Sequence, residues 1–135
     1  MNYQLLLVED DLLLQEAVAD YFKSKKWDVT CISNGSDAVD TAQNQDFHLI
    51  LLDIMLPKQD GFQACKKIRQ VKDVPIIFIT ARVSEEDELN GYAKGADDYV
   101  TKPFSLPVLY AKAMAHELKT PLSVIRCFSK TINSL

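Results

Sequence analysis

Apolar positions along the chain alternate between two periods. Five short runs, "YQLLLVE" (3–9), "DVTCI" (28–32), "FHLILLD" (47–53), "VPIIFIT" (74–80) and "DDYVT" (97–101), have the length and apolar density of strands. The segments between them are of helix length. Leu14, Ala17, Val18, Tyr21 and Phe22 follow the spacing of a one-sided helix. A second helix is expected over 36–43 after "NG", with Ser36 as its cap, and a third places Phe62, Cys65 and Ile68 three apart after a "QDG" turn signal. The fourth runs over 84–94 and opens on the acidic turn "SEEDE", where Ser84 and Asp87 nearly form a capping box. A fifth, capped by Ser105, opens on Leu106 and Pro107 and has Leu109 and Ala113 on its buried face.

Strand and helix in alternation, with short connections, predict a parallel sheet covered by helices on both faces. The first and third runs are almost continuously apolar, as strands buried on both sides should be. The fold class is therefore α/β, and the expected winding is a flavodoxin-like (βα)5 sandwich with its five parallel strands in the order 2-1-3-4-5. In such sheets ligands bind beyond the carboxyl ends of the strands.

Composition narrows the function. With 47% hydrophobic and 25% charged residues the chain reads as a folded globular domain. A net charge of −4 provides no basic footprint for nucleic acid, so DNA contact would need another domain. The longest apolar run, "HLILLDIML", is too short to span a membrane, and "MNYQLLLVEDD" lacks the features of a signal peptide. A cytoplasmic location is expected. Cys31, Cys65 and Cys127 lack metal-ligand spacing and read as free thiols.

The carboxyl ends of the strands carry the chemistry. Glu9, Asp10 and Asp11 follow the first strand and Asp53 ends the third. In the expected winding those strands are neighbours, so the carboxylates crowd one crevice, a conflict that a hard divalent cation such as Mg2+ resolves. Thr80 ends the fourth strand, and Lys102 follows the fifth. A lone strand-end aspartate is most often a cap or turn former. Carboxylates, a hydroxyl and an ammonium together at the ends of four strands suit phosphoryl transfer, with Asp53 as nucleophile.

The strings "VEDD", "LLDIMLPKQDGF", "ITA" and "GADDYVTKPF" resemble the receiver domain of bacterial two-component response regulators (the CheY-like superfamily), and specifically its OmpR/PhoB class, over about residues 3 to 114. The resemblance implies that a cognate sensor histidine kinase phosphorylates Asp53. It implies Mg2+ held by Asp10, Asp53 and the Met55 carbonyl, with Glu9 acting through water. It further implies Thr80 and Tyr99 as a switch pair, Lys102 on the phosphoryl group, and a cis Lys102–Pro103 peptide. Such a chain is a phosphoacceptor switch, not an enzyme in the ordinary sense. In its full-length form it regulates transcription, and two copies pair through the fourth helix, fifth strand and fifth helix by salt bridges, for which Asp97 or Asp98 with Lys112 fits.

The pattern of the fifth helix breaks at His116 and Glu117. From there "HELKTPLSVI" resembles the H-box of a sensor histidine kinase, with His116 at the phosphoacceptor position. The expected division is a receiver over 1–115 and an H-box-like fragment over 116–135, joined by fusion or chimerism. No nucleotide-binding loop accompanies it. About ten residues of helix at roughly 1.5 Å each put His116 about 15 Å from the active rim, too far for transfer to Asp53 within one molecule. Leu118, Leu122, Ile125 and Ile132 form an apolar stripe, so an extended C-terminal helix and self-association as a dimer or higher oligomer are expected. Three further readings remain: a phosphohydrolase with an aspartyl phosphate, a non-phosphorylated interaction module, and a phosphorelay protein using His116 as a second phosphoacceptor.

Overall fold

A computed structural model describes residues 2–58, 60–81 and 95–117. In chain order the elements are β1 (Gln4–Val8), α1 (Leu12–Ser24), β2 (Asp28–Ile32), α2 (Gly35–Asn44), β3 (Leu49–Asp53), α3 (Gly61–Arg69), β4 (Ile76–Thr80), β5 (Asp98–Thr101) and the closing helix, here α4 (Leu106–Glu117). The expected helix over 84–94 and the apolar stripe beyond His116 lie outside the described residues. The sheet runs β2-β1-β3-β4-β5 with every pairing parallel, the flavodoxin-like order that was expected; the alternation of patterns by itself calls only for the parallel sheet.

Strand side chains alternate faces, and the core divides on that parity. Leu6, Val8, Ile50, Leu52, Ile76 and Phe78 pack against α2 and α3. Leu5, Leu7, Leu49, Leu51, Ile77 and Ile79 pack against α1 and α4. β1 is buried from Leu5 onward, while β3 and β4 are buried along their whole length, so burial on both faces extends to one more strand than the two most apolar runs indicated.

Local chemistry sets where the helices begin. Asp11 caps α1 by accepting from the Leu13 and Leu14 amides at 3.1 and 3.3 Å. Asn34, not the expected Ser36, caps α2, accepting from the Asp37 amide at 2.8 Å. Asp60 caps α3 through the Gln63 amide at 2.9 Å. The inward face of α1 is Val18, Ala19 and Phe22; Ala17, expected on that face, is exposed. Ser105 caps the closing helix as expected, with its Oγ 3.4 Å from the Val108 amide.

An aromatic seam docks α4 on α1. The Phe22 and Tyr110 rings lie 5.3 Å apart, the Trp27 indole N–H donates to the Tyr110 hydroxyl at 3.3 Å, and Lys25 sits over both Tyr21 and Tyr110. On the other face Arg69 ties the approach to β5. It donates to the Gly95 carbonyl at 2.8 and 3.1 Å and to the Val74 carbonyl at 2.6 Å, and pairs with Asp97 at 2.9 Å. Asp97 also accepts from the Ile76 amide at 2.8 Å, so its carboxylate serves the fold of its own chain. Of the two aspartates expected to partner Lys112, Asp98 does so, within the chain and at 3.4 Å.

Candidate functional site

The parity that sorts the core also builds the site. Glu9 continues the Leu5, Leu7 series beyond β1, Asp53 ends the Leu49, Leu51 series, and Lys102 continues from Asp98 and Val100 beyond β5. All three emerge on the side covered by α1 and α4. Val8 pairs with Leu52, so the next step along each strand sets Glu9 beside Asp53. Lys102 spans both: its ammonium lies 2.8 Å from Asp53 Oδ2 and 2.7 Å from Glu9 Oε1.

The two carboxylates are almost withdrawn from water, with side-chain exposures of 0% for Glu9 and 4% for Asp53. Asp53 Oδ1 accepts the Met55 amide at 3.0 Å, and Glu9 Oε2 accepts the Asp11 amide at 3.0 Å. Burial pushes the Glu9 carboxyl up to about 7; the Lys102 and Asp11 hydrogen bonds pull it down, and the neighbouring Asp53 raises it again. Partial burial works against the Lys102 ammonium, but hydrogen bonds and charge from Asp53 and Glu9 outweigh it and raise its pKa. One cation therefore answers a crowd of carboxylates.

Mg2+ fits this donor set. Carboxylate oxygens of Glu9, Asp10 and Asp53 all lie within 4.8 Å of one another. Glu9 Oε1 is buried and meets the Lys102 ammonium at 2.7 Å. A hard cation demands oxygen ligands and retains waters, which suits an exposed Asp10 next to two buried carboxylates. Asp11, which the sequence placed in the same acidic run, is spent on capping α1.

Thr80 is buried at the end of β4, one position beyond the Ile79 that pairs with Asp53, and its carbonyl accepts the Lys102 amide at 2.6 Å. Tyr99 is half-buried, pairs with Phe78 and leans on the α2/α3 side of the core. The Lys102–Pro103 peptide is cis. The structure thus brings Glu9, Asp10, Asp53, Thr80 and Lys102 to one rim. His116 is elsewhere: its Nε2 is 3.0 Å from Asp98 Oδ2 at the amino end of β5, which the register sets level with Leu51, two positions back from Asp53.

Gly61 is a site residue that its sequence context marked only as a turn. A Cβ there would fall on the Asp53 carbonyl oxygen and 2.6 Å from the Ile54 Cα, while the Gly61 amide donates to the Ile54 carbonyl at 2.8 Å. The loop after β3 folds back so closely that only hydrogen fits. "DG" was the sole signal, and it does not distinguish a turn from a backbone contact.

A flavodoxin-like sheet with an acidic crevice and a bridging lysine at its strand ends defines the receiver class. The family model for the response regulator receiver domain matches residues 5–114, and the chain belongs to that family. It is similar to a two-component response regulator from Clostridium difficile, with 30% identity over 87% of this chain and 97% of that one and a TM-score of 0.82. It is also similar to the receiver domain of a sensor histidine kinase from Pseudomonas aeruginosa, solved with a magnesium ion coordinated in the active-site cleft, at 32% identity over 87% and 98% of the chains and a TM-score of 0.80. The response regulator DrrB of Thermotoga maritima, an OmpR/PhoB homologue, is 30% identical over 85% of this chain and 52% of its own, with a TM-score of 0.78. The chain is thus a receiver domain of two-component signalling, a phosphoacceptor switch. Among the described residues, no helix is long and apolar enough to cross a membrane.

Proposed function

We propose that Asp53 is the phosphoacceptor and that a sensor histidine kinase is its donor. The observation that carries this reading is a nearly buried carboxylate bridged by Lys102 to an equally buried Glu9, with Asp10 alongside. An Asp53 carboxylate oxygen attacks phosphorus, the bond from phosphorus to the donor's nitrogen breaks, and its electron pair stays with the imidazole. The product is a mixed carboxylic–phosphoric anhydride. Lys102 holds the carboxylate and then meets a phosphoryl oxygen, and the Thr80 hydroxyl approaches another. Glu9, Asp10, Asp53 and the Met55 carbonyl would hold Mg2+, which when bound neutralises charge on the phosphoryl oxygens.

Drawing Thr80 toward the phosphoryl group vacates space into which the Tyr99 ring turns, changing the β5 and α4 face. Similarity to an OmpR/PhoB homologue supports an output in transcription, through pairing of two receivers and a DNA-binding domain carried elsewhere. Residues 1–115 form the receiver in this reading, and 116–135 contribute an appended segment. The Asp98 contact of His116 supports no part in the transfer chemistry.

Incubation with acetyl phosphate and Mg2+, followed by intact mass, tests the assignment. One phosphoryl group should be gained, and chelation or Asp53→Asn should abolish the gain while His116→Gln leaves it intact. Labelling that survives Asp53→Asn and disappears with His116→Gln contradicts it.

A further inference from the structure

The Asp98 carboxylate is a junction between the closing helix and the strand that carries Tyr99. Its Oδ1 accepts the Tyr99 amide at 2.8 Å. Its Oδ2 meets His116 Nε2 at 3.0 Å, and Lys112 approaches both oxygens at 3.4 Å. Lys112 also reaches the Tyr99 carbonyl at 3.5 Å. Both backbone groups of Tyr99 are therefore touched by this cluster. β5 lies at the edge of the sheet with β4 as its sheet partner, so side-chain ties bear more of its placement than they would in a central strand.

We propose that His116 is a positioning residue for the switch, acting through Asp98 to hold the backbone at Tyr99, with a hold that tightens when the imidazole is protonated. The proposal rests on the reading of Tyr99 as the switch residue. Among the described residues, the ionisable groups at this clasp are Asp98 from β5 and Lys112 and His116 from α4; Lys25, at the α1 side of the helix, is engaged over Tyr110 instead. The Asp98 carboxylate already makes the bond charge-assisted with a neutral imidazole, and imidazolium adds the attraction of a second charge. The pair is half-buried, with side-chain exposures of 31% and 19%, so solvent screens it only in part. The clasp lies at the far end of β5 from Lys102, about 13 Å away at the rise of a strand, so it biases the switch without touching the reacting atoms.

The test follows the Tyr99 amide and His116 ring resonances by NMR between about pH 5 and 8 in the full chain. In the wild type the Tyr99 signal should move with the midpoint of the His116 ring. In His116→Gln the movement should be lost, and in His116→Lys the signal should stay near its low-pH position throughout. Rates of labelling by acetyl phosphate and Mg2+ should differ by about two-fold between wild type and His116→Gln at the acid end of this range and converge at the alkaline end. A Tyr99 signal that is flat in the wild type, a titration that persists in His116→Gln, or a rate ratio that does not change with pH overturns the proposal. Absence of any labelling at Asp53 instead overturns the reading of Asp53 as phosphoacceptor, while the resonances still report on the clasp.

Discussion

Two buried carboxylates share one lysine, and the cost of that arrangement appears in how the protein responds to pH. Glu9 has a folded value of about 7 against an ordinary 4.5, so between those values the folded chain binds more protons than the unfolded chain. Stability of the metal-free protein should therefore fall as pH rises through this window, and Glu9→Gln should flatten the profile; urea titrations at several pH values measure it. Mg2+ should reverse the trend, because it binds ionised carboxylates, and the thermal midpoint gained on adding it should be larger above about pH 7 than below. Asp10→Asn should remove most of that gain without altering the fold, since Asp10 is exposed. The identities of these residues were legible in the sequence because the rule about strand ends is local. Which aspartate of the acidic run goes to the site was not: Asp10 and Asp11 are alike as text, and only the start of α1 assigns one of them to capping.

At the scale of elements, the turns around the site matter as much as the strands. Gly61→Ala should destabilise the protein by about 2 kcal/mol or more and slow labelling of Asp53, since the added methyl must push the end of β3. Lys26 offers the opposite case. It closes α1 with a φ of 68°, a left-handed conformation that costs a side chain with a Cβ. Lys26→Gly should raise stability by about 0.5–1 kcal/mol, read as a shift of the urea midpoint, although part of the gain is offset by the freer unfolded chain. Helix positions were readable from apolar period, and the start of the closing helix at Ser105 with them, but the start of α2 was not. Ser36 and Asn34 are both good caps, and the choice falls to the residue whose side chain meets a free amide, here Asn34 with Asp37. The inward turn of Ala19 in place of Ala17 has a similar cause, since the docking angle of α1 is set by Phe22 against Trp27 and Tyr110.

At the scale of the whole molecule, one sheet separates two kinds of work. Its carboxyl edge gathers the acidic residues and Lys102, and the amino end of β5 gathers Asp98, Lys112 and His116. The first group was visible in the sequence because strand order brings neighbouring termini together. The second was not, because the break in the apolar pattern at His116 carries no information about a partner 18 positions away. The Arg69 network is equally nonlocal, tying Gly95 and Asp97 to the start of β4. Switching rests on a single covalent event at the carboxyl edge. Its most direct test is to treat the protein with acetyl phosphate and Mg2+, reduce the acyl phosphate with borohydride, and read the peptide masses. Conversion of residue 53 to homoserine is the predicted result. An unmodified aspartate at 53 with homoserine at position 10 or 11, or no acyl phosphate at all, would contradict it.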